Sequence, residues 1–210
     1  MSRLAFYKKD GKYYAKNTPV IRYWKYNDTT FTRPNLTANG TIGGDSFAVA
    51  SSITGYSSNY EIWKAFDGDI EAKYQSVSNP SIAWITFYNP KPLNVKSITY
   101  YQEHGERYYY IRNMTIQGSN DNTNWTDIGT YTATAWVDNF TVDMSGNTGF
   151  YKYHRLYITN RSYFNNQNVY VICREITMVA TQRNSIDEVT ADDDYDYTTV
   201  ENHYQIFRKE

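Results

Sequence analysis

From Asn35 onward the chain runs in short apolar stretches, each closed by a turn signal, and no long segment keeps a helical period. That rhythm predicts an all-β fold, a sandwich of short antiparallel strands. Trp84–Tyr88 is apolar on both faces and stops at Asn89-Pro90, as a central strand would. Val95–Tyr101 reads as the next alternating run. Met114, Ile116 and Gly118 share one face of a later strand, and Phe140, Val142 and Met144 share a face two strands on. Leu156 and Ile158 pair within His154–Ile158, and Ile176 and Met178 close the series. No internal repeat is present. Composition supports the same class: 23 Tyr, 9 Phe and 5 Trp are set among Asn, Thr and Ser, with only 11 Gly and 5 Pro. Aromatic and β-branched residues fit pleated, half-buried surfaces, and their amphipathic rings also suit a sugar-facing or protein-facing surface.

The chain has 210 residues, enough for one medium domain with appendages. A domain of roughly 150 residues buries about 68–70% of its unfolded surface and needs no covalent staple. The one cysteine, Cys173, excludes an intramolecular disulfide. It lies in the apolar run Val169–Cys173, which predicts a buried, inert thiol. No Cys/His cluster has zinc spacing.

Charge divides the chain into three segments. Residues 1–34 carry eight Lys/Arg and two Asp, residues 35–182 carry ten basic and twelve acidic side chains, and residues 183–210 carry three basic and eight acidic. A near-neutral body is thus flanked by a basic arm and an acidic tail. Opposite fields steer such arms onto each other or onto neighbouring copies, although two solvated tails fit the charges as well. The basic arm is rich in rings, from Phe6 to Tyr26, which argues against disorder. Leu4–Lys9 and Lys12–Lys16 flank Asp10-Gly11, the dipeptide favoured in a two-residue hairpin turn. Val20–Tyr26 predicts a third strand. The segment Asp187–Asp196 reads as a linker into Tyr204–Arg208, a short docking strand. Its aspartates lack the spacing of an EF-hand loop. Eight basic residues without a recognised nucleic-acid fold give no ground for a nucleic-acid partner.

The body also carries an ordered set of motifs. Ala65-Phe66-Asp67-Gly68 follows the short aromatic segment Tyr60–Trp63. Trp84-Ile85-Thr86-Phe87 comes next, then Gly118-Ser119-Asn120-Asp121 with Trp125, then Tyr151–Leu156, and last Arg174-Glu175-Ile176. In order and spacing these resemble the discoidin, or coagulation factor V/VIII type C, domain, and among its relatives the carbohydrate-binding modules. The resemblance covers about residues 36–181 and implies an eight-stranded antiparallel jelly-roll sandwich. Two positions depart from the family pattern: Tyr74 stands where a tryptophan is usual, and Asn122 replaces a turn glycine. Asn suits that turn because it tolerates a left-handed backbone.

What the resemblance implies about function is binding without catalysis. A structural calcium ion would join the Asp67–Asp69 turn to Glu175, with Lys64 adding a carbonyl. The same residues have a plainer use, Asp67 capping its own turn and Glu175 pairing with Arg174 or another base. A sugar would sit at the loop end, against His104, Arg107, Phe164 and Asn165, or those loops are merely hydrated. No pair of carboxylates flanks a cleft, the three histidines are scattered, and no nucleophile-elbow glycine pattern occurs, so no enzyme is expected. The N-terminus lacks the apolar core of a signal peptide, and no run approaches the roughly 20 apolar residues of a membrane span. A module of outward-facing type made in a cytoplasm fits a bacteriophage particle, assembled in the host and exposed after lysis. The expected partners are host-surface glycan, other virion proteins and further copies of the chain. The alternative is a structural virion component whose sandwich and arms mediate assembly.

Overall fold

The computed structural model describes residues 6–9, 12–15, 23–77, 82–103, 110–164, 167–168, 170–189 and 205–206. Two compact units result, one of residues 28–184 and one of residues 1–27 with 185–210.

Strands β1 (Phe6–Lys9), β2 (Lys12–Ala15) and β3 (Tyr23–Phe31) come first, followed by β4 (Ala48–Ser51) and two short 3-10 turns, Ser58–Tyr60 and Ile62–Phe66. Next are β5 (Tyr74–Gln75), β6 (Ala83–Tyr101), β7 (Ile111–Ser119), β8 (Thr126–Thr132), β9 (Asn139–Asp143) and β10 (Tyr151–Arg161). The chain closes with β11 (Tyr163–Phe164), β12 (Gln167–Asn168), β13 (Ile172–Cys173), β14 (Glu175–Val189) and β15 (Gln205–Ile206). All the recorded pairings are antiparallel. The body is the jelly-roll sandwich expected of the sequence.

Its axis is β6. The sequence read Trp84–Tyr88 and Val95–Tyr101 as separate strands parted by Asn89-Pro90; the structure joins them into one 19-residue strand. The first half pairs with β4 and β10 (Ile85 opposite Ser51 and Leu156), the second with β9 and β14 (Ile98 opposite Val142 and Met178). Pro90 and Pro92 have no N–H to offer a ladder. Asn89 compensates there, donating from Nδ2 to the Lys91 carbonyl (2.7 Å) and to Gln182 Oε1 (3.1 Å). A bulge at Lys96 sets Ser97 opposite Val179 but Val95 opposite Ala180, so Val95 and Ile98, three apart, both face inward.

The core fills the space between the two halves. Ile85, Phe87, Met114, Ile116, Leu156 and Ile158 come from the first half of β6 with β7 and β10, and Leu93, Val95, Ile98, Tyr100, Phe140 and Val142 from its second half with β9. Phe47 and Phe66 pack their rings on Phe87 at 6.0 and 6.3 Å, and Tyr131 stacks on Phe140 at 3.5 Å. His154 belongs to this core too. It is fully buried and stacks on Phe87 at 4.9 Å, and burial lowers its pKa to about 3. At the β7–β8 hairpin Asn122 takes φ 61°, the left-handed value its replacement of glycine anticipated. Asp121 there accepts from the backbone of Thr123 and Asn124 (2.9 and 2.7 Å), and these bonds hold its carboxyl well below the usual range.

In the smaller unit β1 and β2 form the expected hairpin, Lys9 opposite Lys12, and the Asp10-Gly11 turn lies outside the described residues. β15 pairs with β3, Gln205 opposite Trp24 and Ile206 opposite Tyr23. The end of the acidic tail therefore docks on the basic arm, one of the two arrangements its charge predicts. Residues 28–34, read from charge as arm, pack with the sandwich. Asp28 accepts both Nε and Nη2 of Arg183 (3.2 and 3.3 Å), and Thr29 accepts from Asn184 (3.0 Å).

Candidate functional site

The turn at Ala65–Asp69 is built by the second 3-10 turn, which ends at the buried Phe66, and by Gly68 at φ 81°. A side chain at Gly68 would be strained in that conformation and would strike the Asn35 amide at 2.3 Å. With no Cβ there, the Gly68 N–H reaches Glu175 Oε2 on β14 at 3.0 Å. Asp67 Oδ1 accepts from the Asp69 N–H (2.9 Å), and Asp69 Oδ1 from the Glu71 N–H (3.0 Å), so both carboxylates cap their own turn. Lys64 lies 3.8 Å from Asp67 Oδ2 and over the Trp63 ring at 4.2 Å.

The partner of Glu175 is neither Arg174 nor a metal ligand set but Arg33. Its Nη2 donates to Glu175 Oε1 at 2.6 Å, its Nη1 donates to the Phe66 and Pro34 carbonyls, and its guanidinium lies 5.6 Å from the Phe66 ring centre. Both side chains are more than nine-tenths buried. Burial opposes both charges. It pushes the Glu175 carboxyl up to about 7 against the pull of Arg33, and it lowers Arg33 against the pull of Glu175.

Calcium needs several free oxygens converging on one point. Here one oxygen each of Asp67 and Asp69 is engaged in its own turn, and both Glu175 oxygens already have donors. Lys64 adds a cation. Among the described residues no three His, Cys, Asp or Glu side chains gather into a metal-binding group. As arranged, Lys64, Asp67, Asp69 and Glu175 do not fit the ion.

The other site is the loop end of the sandwich. His104, Arg107 and Asn165 lie outside the described residues; Phe164 sits in β11 opposite Gln167, with its side chain undescribed. Among the described residues stands a polar and aromatic group that sequence reading missed. Tyr56, 59% exposed, sets its ring edge-on to Tyr60 at 6.2 Å. Lys73 lies 5.9 Å from the Tyr60 ring and bonds Glu103 Oε2 at 2.6 Å. Glu103 immediately precedes the His104–Tyr109 loop. Val77 and Tyr170 also stand exposed there, tied by backbone bonds from Val77 to Thr54 and from Ser76 to Val171. The backbone of Tyr56 is fixed on β5, its N–H donating to the Gln75 carbonyl at 2.8 Å. An exposed ring fixed by its own backbone, beside a charged pair, can stack on a sugar's C–H face and hydrogen-bond its hydroxyls. The only sequence signal for it is Tyr spacing, since Tyr56 and Tyr60 are separated by three polar residues.

The architecture is that of an antiparallel β-sandwich domain. Residues 48–187 match the F5/8 type C domain, and the chain belongs to that family. Solved structures share the fold. The third family-32 carbohydrate-binding module of a Clostridium perfringens family 31 glycoside hydrolase is 19% identical, with a TM-score of 0.52 over 64% of this chain and 88% of that one. A chitosan-binding module of a Paenibacillus sp. IK-5 chitosanase/glucanase, solved with chitotriose, is 23% identical, with a TM-score of 0.51 over 64% and 96%. A Clostridium perfringens module solved with GalNAc-β-1,3-galactose is 15% identical, with a TM-score of 0.50 over 63% and 94%. No curated protein matches the sequence. Among the described residues no helix is long and apolar enough to cross a membrane.

Proposed function

We propose that the chain is a non-catalytic glycan-binding module that holds a sugar at the loop end of its sandwich. The observation that carries this reading is Tyr56, an exposed ring held on Tyr60 next to the Lys73–Glu103 pair. That composition is what a sugar surface needs, and Glu103 directly precedes His104 in the sequence. The relatives solved with chitotriose and with GalNAc-β-1,3-galactose support the same class of ligand. The proposed setting is a bacteriophage particle, with host-surface glycan as the target.

A second reading, a structural virion part, is favoured by a different observation. The terminal segments form their own compact unit, in which β15 pairs with β3. A screen of the full chain against bacterial glycans separates the two. The adhesin reading expects a saturable hit that Tyr56→Ala weakens about tenfold or more, equal to about 1.4 kcal/mol of lost contact, with the melting temperature unchanged. A folded protein that binds no glycan refutes it and leaves assembly as the function.

A further inference from the structure

The Arg33 guanidinium does at the Glu175 turn what a bound cation does elsewhere: it neutralises a buried carboxylate and ties distant segments to one point. It reaches across from residue 33 to the Phe66 carbonyl of the 3-10 turn and to Glu175 on β14, 142 positions away in sequence. The Gly68 N–H takes the other Glu175 oxygen. Those acceptors are a carbonyl and a carboxylate, the hard oxygens that divalent cations prefer. A guanidinium offers the matching fork of N–H donors and stays charged at any ordinary pH.

We infer that Arg33 is a built-in substitute for a divalent cation. The turn is therefore closed by a cation of the chain itself, and its stability does not depend on added calcium. The closure of the turn does not require a bound sugar.

Thermal unfolding of the full chain after chelator dialysis tests it, without calcium and with about 10 mM calcium, above the roughly 0.1–1 mM range of weak extracellular sites. Wild-type protein is expected to melt at the same temperature in both. Arg33→Ala is expected to melt about 10 °C lower without calcium, because it strands a buried carboxylate. Adding Glu175→Gln to Arg33→Ala is expected to recover part of that loss, because the stranded charge is gone. Should Arg33→Ala fail to fold, Arg33→Met keeps the stem over Phe66 and carries the same comparison. Wild-type protein stabilised saturably by calcium, with the gain lost in Glu175→Gln, overturns the inference. So does an Arg33→Ala variant that melts at the wild-type temperature.

Discussion

His154 makes the folded protein a poor proton acceptor, and acid should therefore unfold it in a calculable way. The imidazole is fully buried against Phe87, with the Tyr151 ring edge-on at 6.0 Å. Neither ring nitrogen has a hydrogen-bond partner among the described residues, and the Leu93 backbone opposes the effect of burial only weakly. Its pKa falls from 6.5 to about 3. Between those values the unfolded chain binds a proton that the folded chain refuses, so stability rises with pH and is lost as pH falls through 6.5. From pH 7.5 to pH 5 the loss is about 2 kcal/mol, on a scale of about 1.36 kcal/mol per pH unit once the unfolded histidine is charged. Glu175, raised to about 7, works in the opposite sense, because its folded form holds a proton that the unfolded chain releases as pH rises from 4.5. The comparison must therefore be a difference. Urea unfolding of wild type and His154→Phe at pH 7.5, 6 and 5 cancels Glu175, which both proteins share. The stability gap should move by about 2 kcal/mol in favour of the Phe variant as pH falls. A gap that stays constant across that range would refute a buried neutral imidazole.

Two further substitutions test the packing. Tyr100→Phe removes the hydroxyl that donates to the Ile172 carbonyl at 2.8 Å, inside a fully buried site. The stranded carbonyl should cost about 1–3 kcal/mol, read as a lower urea midpoint at unchanged slope. Gly118→Ala on β7 would set a Cβ 2.3 Å from Cδ2 of Tyr151. The backbone at Gly118 is not left-handed, so the expected loss of about 1–3 kcal/mol is purely steric, and a Tyr151→Leu background should recover part of it.

The sandwich was legible because its inward residues keep a period of two: Met114 with Ile116, Phe140 with Val142 and Met144, Leu156 with Ile158. Asn122 announced its left-handed turn by chemistry alone. Where reading failed, a local rule met a tertiary exception. Asn89-Pro90 is a strong stop, yet Asn89's own side chain bridges the gap and β6 continues through it. Val95 and Ile98 share a face only because of a bulge that a period-two reading does not anticipate. At the turn, the resemblance implied a link from the Asp67–Asp69 segment to Glu175, and the Gly68 N–H makes one; the guanidinium was not legible, since nothing in the sequence near Arg33 connects it to a residue 142 positions away. Counting charge placed Arg33 in the basic arm, whereas its burial assigns it to the sandwich. At the loop end, Tyr56 carries no motif; only the fold brings it to Tyr60, Lys73 and Glu103.

The long strand β6 has a consequence for how the chain is made. Its first half waits for β10 and its second half for β14, which begins only at Glu175. Few of its partners are neighbours in sequence, so contact order is high and folding should be slow, on the order of milliseconds to seconds. A nascent chain cannot close either half of the sandwich until most of it has left the ribosome. Until then the apolar face of Trp84–Tyr88 is open to other chains, and the interval between synthesis and closure is when this protein is most at risk of aggregation.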